Sequence, residues 1–217
     1  MKQLFKRIFQ TLIGISLFFL ISGFVITFFF SEKVEKTVVS KIQEQMTTEL
    51  QLGRVAFSLY EKFPSASVKI DNLLAFEKEG FDNDTLFYAK ATYIELSIFD
   101  ILLNKIDIKT VIVSQGKINI KYDKDNKPNF AIFKVTEGNK SKLTLDQLLL
   151  LNTSVKCKTK NIDIDWHTTQ AMLNFKEENI SLNAKLFSKY LKVNNRDYVQ
   201  EKNLKLLANL SFQLDSI

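Results

Sequence analysis

A run of 23 residues without a single charge, Ile8 to Phe30, limits what the amino-terminal part of this chain can become. At ~1.5 Å rise per residue it makes a helix of roughly 35 Å, enough to cross a hydrocarbon core of about 30 Å. Its only polar residues are Gln10, Thr11, Ser16, Ser22 and Thr27. A cleaved secretory signal has a shorter apolar core and a small-x-small cleavage site. This run ends instead in Phe28-Phe29-Phe30 followed by Ser31-Glu32-Lys33, so it reads as a retained anchor. Lys2, Lys6 and Arg7 precede it with no acidic residue, whereas Glu32, Lys33, Glu35 and Lys36 cancel behind it. The positive-inside rule places the amino terminus in the cytoplasm and the bulk on the far side. The segments expected are a cytoplasmic tail (1–7), a transmembrane helix (8–30) and one exported domain (31–217).

Beyond the anchor, Val34, Val38, Ile42 and Met46 recur every four residues among Glu, Lys and Gln, the pattern of an amphipathic helix continuing from the membrane. Its stripe is expected to cover the first strands that follow; lying on the bilayer surface is the other option. From Leu50 onward the period becomes two. Val68, Ile70, Leu74 and Phe76 share one parity, broken only by Asn72; Ile94, Leu96 and Ile98 share another, as do Ile118 with Ile120 and Ile162 with Ile164. Alternation of this kind marks strands with one apolar and one polar face. Turn chemistry separates them at Lys62 to Ser65, Glu79 to Asp84, Asp123 to Pro128 and Glu137 to Asn139. Phe99 to Asn104 resembles a short helical crossover, and Thr144 to Leu151, which could also be helical, is read as a strand or a mixed segment. The expectation is a mainly β fold of about nine to eleven mostly antiparallel strands, with no second domain.

The net charge of +6 divides unevenly: without Lys2, Lys6 and Arg7 the remainder carries +3, with both signs interspersed. That is a solvated surface, not a nucleic-acid footprint. Cys157 is alone, so no intramolecular disulfide can form. Five Asn-x-Ser/Thr triplets, beginning at Asn83, Asn139, Asn152, Asn179 and Asn209, are what an Asn-rich chain yields by chance. His167 is the one histidine, which makes a Ser-His-Asp or Cys-His device improbable. Asp163 and Asp165 project together from a strand whose other parity is Ile162, Ile164 and Trp166, so they read as the wet face. Asp123 to Lys127 begins like a calcium loop, but Lys127, Pro128 and Lys134 stand where an oxygen ligand, Gly and Glu belong. A hairpin turn explains it better. No phosphate loop, metal set or cofactor motif is found, and nothing supports an enzyme.

Local patterns and their order carry a resemblance. Phe63-Pro64-Ser65-Ala66-Ser67-Val68-Lys69-Ile70-Asp71-Asn72-Leu73 is followed by Asp84-Thr85-Leu86, Ala89-Lys90, Ile94-Glu95-Leu96-Ser97-Ile98, Ile106-Asp107-Ile108 and Gly116-Lys117-Ile118-Asn119-Ile120. The hairpin Asp123 to Phe130 and the stretch Asn203 to Leu214 come next. Together with the basic tail, membrane helix and amphipathic helix, this order resembles the amino-terminal region of AsmA-like proteins of the Bacteroidota type. Asn126 stands where that family usually has Gly, and Phe130 where it has Trp. The chain is also shorter than such proteins, so it is expected to be their starting segment.

The resemblance implies a bacterial inner-membrane protein facing the periplasm, related to bridge-like lipid-transfer proteins, whose long curved sheet forms an open groove for phospholipid. It implies no catalytic residue. Taken with the alternation, it makes Val68, Ile70, Leu74, Phe76, Ile94, Leu96, Ile98, Ile118 and Ile120 the candidate groove lining. The function expected is phospholipid transfer to, or maintenance of, the outer membrane, with phospholipid, the inner membrane and envelope proteins as partners. The alternative is an anchored scaffold that assists outer-membrane protein assembly, its apolar face fully covered.

Overall fold

The structure is a computed structural model and describes residues 2–48, 50–59, 65–78, 80–81, 84–97, 100, 103, 108–123, 125–130, 145–176 and 179–211. The apolar run and the amphipathic stretch form one unbroken helix, α1 (Lys2–Gln45, 44 residues), ~66 Å long at the usual rise. No glycine or proline falls at the junction, so nothing in the sequence separates the two parts. Its segment Phe5–Gly23 is long and apolar enough to cross a membrane and is not buried inside the protein.

Nine strands follow: β1 (Leu50–Gln51), β2 (Val55–Ser58), β3 (Ala66–Phe76), β4 (Thr85–Leu96), β5 (Ile108–Lys121), β6 (Gln147–Lys158), β7 (Ile162–Lys176), β8 (Asn179–Val193) and β9 (Arg196–Ser211). They make one open sheet, ordered β1-β3-β4-β5-β6-β7-β8-β9, with β2 beside β1 on the same edge of β3. Every neighbouring pair is antiparallel except β5 with β6. The apolar segment Leu148 to Leu151 lies in β6, as its reading as strand required. The expected crossover at Phe99 to Asn104 falls largely outside the described residues.

The stripe of α1 packs as the heptad-like spacing requires. Val34 and Val38, at most 2 % exposed, join Phe57, Val68, Ile70, Ile94 and Leu96 in one cluster, with Ile42 against its edge. Further along, Met46 meets Leu50, Ala75 and Leu86. The helix therefore runs along the strands and seals the first quarter of the sheet. Glu35 also accepts a hydrogen bond from the backbone N–H of Phe57 at 2.8 Å, tying the helix to the short strand β2.

A crease crosses the sheet. Asn72 on β3, Gln115 on β5 and Asn152 on β6 have left-handed backbones (φ 50°, 54° and 48°), and Glu201 on β9 has φ 46°. In the pairing registers, Asn72, Lys90, Gln115, Asn152 and Thr169 all fall in gaps at the same level of the sheet. The line then steps to Lys189 and Glu201 on β8 and β9. A left-handed residue inserted in a strand reverses which face its successors occupy. Thus Leu73 and Ala75, not Leu74 and Phe76, continue the helix-covered face of Val68 and Ile70. The edge obeys the same line: Leu52-Gly53-Arg54 interrupts β1 and β2 opposite Asp71, and Gly53 N–H bonds Asp71 O at 2.9 Å. A Cβ on Gly53 would sit 2.5 Å from that carbonyl oxygen, so only glycine fits.

Candidate functional site

The crease makes the helix-side face concave. Across it, a Cβ on Gly116 would lie 2.9 Å from Val113 Cγ1 and 3.0 Å from the Thr153 side chain, so residues three apart converge. Small side chains form much of this floor: Ala89, Gly116, Thr153, Thr168, Ala171 and Ala184, with Val113, Leu150 and Leu186 between them. Side chains from both halves of the strands close on the same cluster, Val111, Leu148 and Leu182 from one wall and Ile118 and Trp166 from the other. The result is a trough whose long axis runs across the strands. Among the described residues no helix side chain reaches this cluster, and α1 does not cover the trough beyond β5. Its outer wall there holds Ile118, Ile120, Val155, Cys157 and Ile164, all half-buried.

Of the nine residues expected to line a groove, eight fall among the described residues and occupy three places. Val68, Ile70, Ile94 and Leu96 are on the concave face but lie sealed under α1, none more than 2 % exposed. Leu74 and Phe76 project from the opposite face, because Asn72 reverses the alternation. Ile118 and Ile120 remain, on the open wall. Ile98 lies outside the described residues. The correction has a plain physical cause: parity counted along one strand carries no information about a left-handed residue within it, nor about what covers the face.

On the convex side of β7 to β9 polar residues dominate. Asp163, Asp165 and His167 lie there, with Asp165 3.7 Å from Lys156 Nζ and His167 Nδ1 3.2 Å from Ser154 Oγ. They are the wet face that the alternation indicated. Cys157 sits in the trough wall; burial first, and the Asp163 carboxylate second, raise its thiol above the ordinary value.

At one end of β3, β4 and β5, a polar pin holds the three strands together. The Glu77 carboxylate, with its side chain fully buried, meets Lys121 Nζ at 3.0 Å and accepts from Asn129 Nδ2 at 2.9 Å. Asn129, also fully buried, accepts the Lys121 N–H and donates to Asn119 O. Asp84 completes the group, 3.2 Å from Lys121 Nζ. The Asp123 to Phe130 hairpin that presents Asn129 is a turn: Asp123 Oδ1 accepts the Lys127 N–H at 2.8 Å, and Asn126 has φ 61°. Asn is among the L-residues that adopt such a left-handed backbone most readily. Sequence reasoning missed the Glu77–Lys121–Asn129 pin, since its members lie up to 52 residues apart.

No family model matches the chain, nor does any curated protein or solved structure. The class defined by the fold itself is a creased, open β-sheet carried on a long apolar helix.

Proposed function

We propose that this chain is a membrane-anchored, non-catalytic protein that shelters the acyl chains of lipid in its trough. The observation that carries this reading is an apolar concave face, covered by α1 at one end and by none of its described side chains beyond β5, on a helix able to enter a bilayer. Burying about eight methylenes along such a wall is worth roughly 6 kcal/mol, enough to hold a chain out of water. The resemblance to AsmA-like proteins supplies the finer reading: an inner-membrane location, an amino terminus in the cytoplasm, a periplasmic sheet, and phospholipid exchanged with or supplied to the outer membrane. In that arrangement α1 closes the trough where it meets the membrane. A scaffold role is the second reading, favoured by the outer edge of β9, which pairs with nothing among the described residues, and by exposed Tyr198 and Leu207 on its convex face.

Native mass spectrometry of the full chain, released from nanodiscs of phosphatidylethanolamine and phosphatidylglycerol, separates the two. Retained phospholipid is expected on the wild type and its loss in the double variant Ile120→Lys, Ile164→Lys. Equal retention by that variant, or no lipid on the wild type, contradicts the lipid reading.

A further inference from the structure

Three polar side chains stand in one row across the open end of an otherwise apolar trough. Trp166 on β7 pairs with Ser188 on β8, and Ser188 pairs with Lys202 on β9. All three share the concave face: Trp166 packs on the floor cluster, Ser188 follows Leu186, and Lys202 precedes Leu204, each by two residues. Trp166 Nε1 and Ser188 Oγ are buried and have no hydrogen-bond partner among the described residues. Ser188 is 0 % exposed. Lys202 is exposed and makes no ion pair among the described residues. The other unpartnered buried hydroxyls, of Thr48, Ser67 and Thr92, lie at the helix end of the sheet.

An unpaired buried donor is destabilising by about 1–3 kcal/mol, and native proteins keep few. Here two occur side by side, next to an unpaired cation, on the face argued above to take lipid. An indole N–H, a hydroxyl and an ammonium are all donors to an anionic oxygen, and among the described residues no carboxylate pairs with them. We propose that Trp166, Ser188 and Lys202 bind the anionic headgroup of an acyl lipid, a phosphate or a carboxylate, while its chains lie along the floor toward Leu150 and Ile118. This rests on the lipid reading of the trough and adds to it a preference for charge and a fixed position for the headgroup.

The test uses the full chain in neutral-detergent micelles and four probes: dioleoyl phosphatidic acid, dioleoylglycerol with the same chains and no charge, oleate, and inorganic phosphate. The wild type is expected to bind phosphatidic acid about tenfold more tightly than dioleoylglycerol, the factor one charge-assisted hydrogen bond supplies. Lys202→Gln and Ser188→Ala are expected to remove that preference and leave dioleoylglycerol binding unchanged. Oleate binding that falls in the same variants shows that a carboxylate also serves. Inorganic phosphate is expected not to compete, and displacement of lipid by it would make this a free-anion site and overturn the proposal. Equal binding of both glycerolipids by the wild type, or a preference that survives in both variants, overturns the headgroup site while leaving the trough reading intact. Binding of neither glycerolipid overturns both.

Discussion

Asn72, Gln115, Asn152 and Glu201 hold backbone conformations that L-residues adopt at an expense of about 1–2 kcal/mol, with Asn the least disfavoured. Gln115 has no such advantage, and it precedes Gly116, whose missing Cβ makes the convergence with Val113 possible. Gln115→Val is expected to destabilise the fold by about 1–2 kcal/mol and Gln115→Asn to be neutral or slightly stabilising, as read by chemical denaturation. Equal effects of the two would remove backbone strain as the explanation. In the polar pin, the Thr85 N–H first and Lys121 second hold Asp84 below its ordinary value of 3.8. Burial alone would lower Lys121, but Glu77 and Asp84 outweigh it and raise the ammonium above 10.5. The Asp84 contribution is therefore complete above about pH 4 and is lost as pH falls through the folded value. That of Lys121 is complete below its unfolded value and is lost as pH rises through the folded one. Asp84→Asn is expected to flatten the fall in Tm between pH 5 and pH 3; melting curves that stay parallel to wild type would contradict this.

Among the elements, α1 and the strands beneath it were largely legible. The four-residue spacing of Val34, Val38, Ile42 and Met46 announced a helix with one face to bury, and the helix does bury it on the first strands. Two-residue alternation announced most of the strands, whereas the unbroken apolar run Leu148 to Leu151, read as strand or mixed, lies in β6. Two things were not legible. Covering a face and lining an open groove are incompatible, so Val68, Ile70, Ile94 and Leu96 could not do both once the helix lay over them. And Asn72 is a single polar residue in an alternating run, whose effect on Leu74 and Phe76 depends on its φ and not on its hydropathy. Val38→Asp, which buries an unpaired carboxylate between α1 and β3, is expected to destabilise the helix-to-sheet contact by about 3 kcal/mol or more. Limited proteolysis should then release the sheet from the helix, while Lys36→Glu on the exposed side should leave it intact.

For the molecule as a whole, the crease, small-residue floor and helix plug convert an alternating sheet into a trough with one closed and one open end. None of these depends on a local motif. The crease needs the registers of three strand pairings to bring Asn72, Gln115 and Asn152 level, and the Trp166–Ser188–Lys202 row needs two further pairings in register. A sequence read strand by strand contains the parts and not their alignment. The trough also distinguishes two kinds of exposed apolar side chain. Ile120 lies inside it, whereas Leu207, 63 % exposed, lies on the convex face. The most direct measurement is photo-crosslinking in phospholipid-containing membranes, with the reactive side chain placed in turn at Ile120, Leu96 and Leu207. Phospholipid is expected at Ile120, α1 at Leu96, and neither at Leu207. Lipid at Leu207 as readily as at Ile120, or no lipid at Ile120 in the folded protein, would contradict a lipid trough.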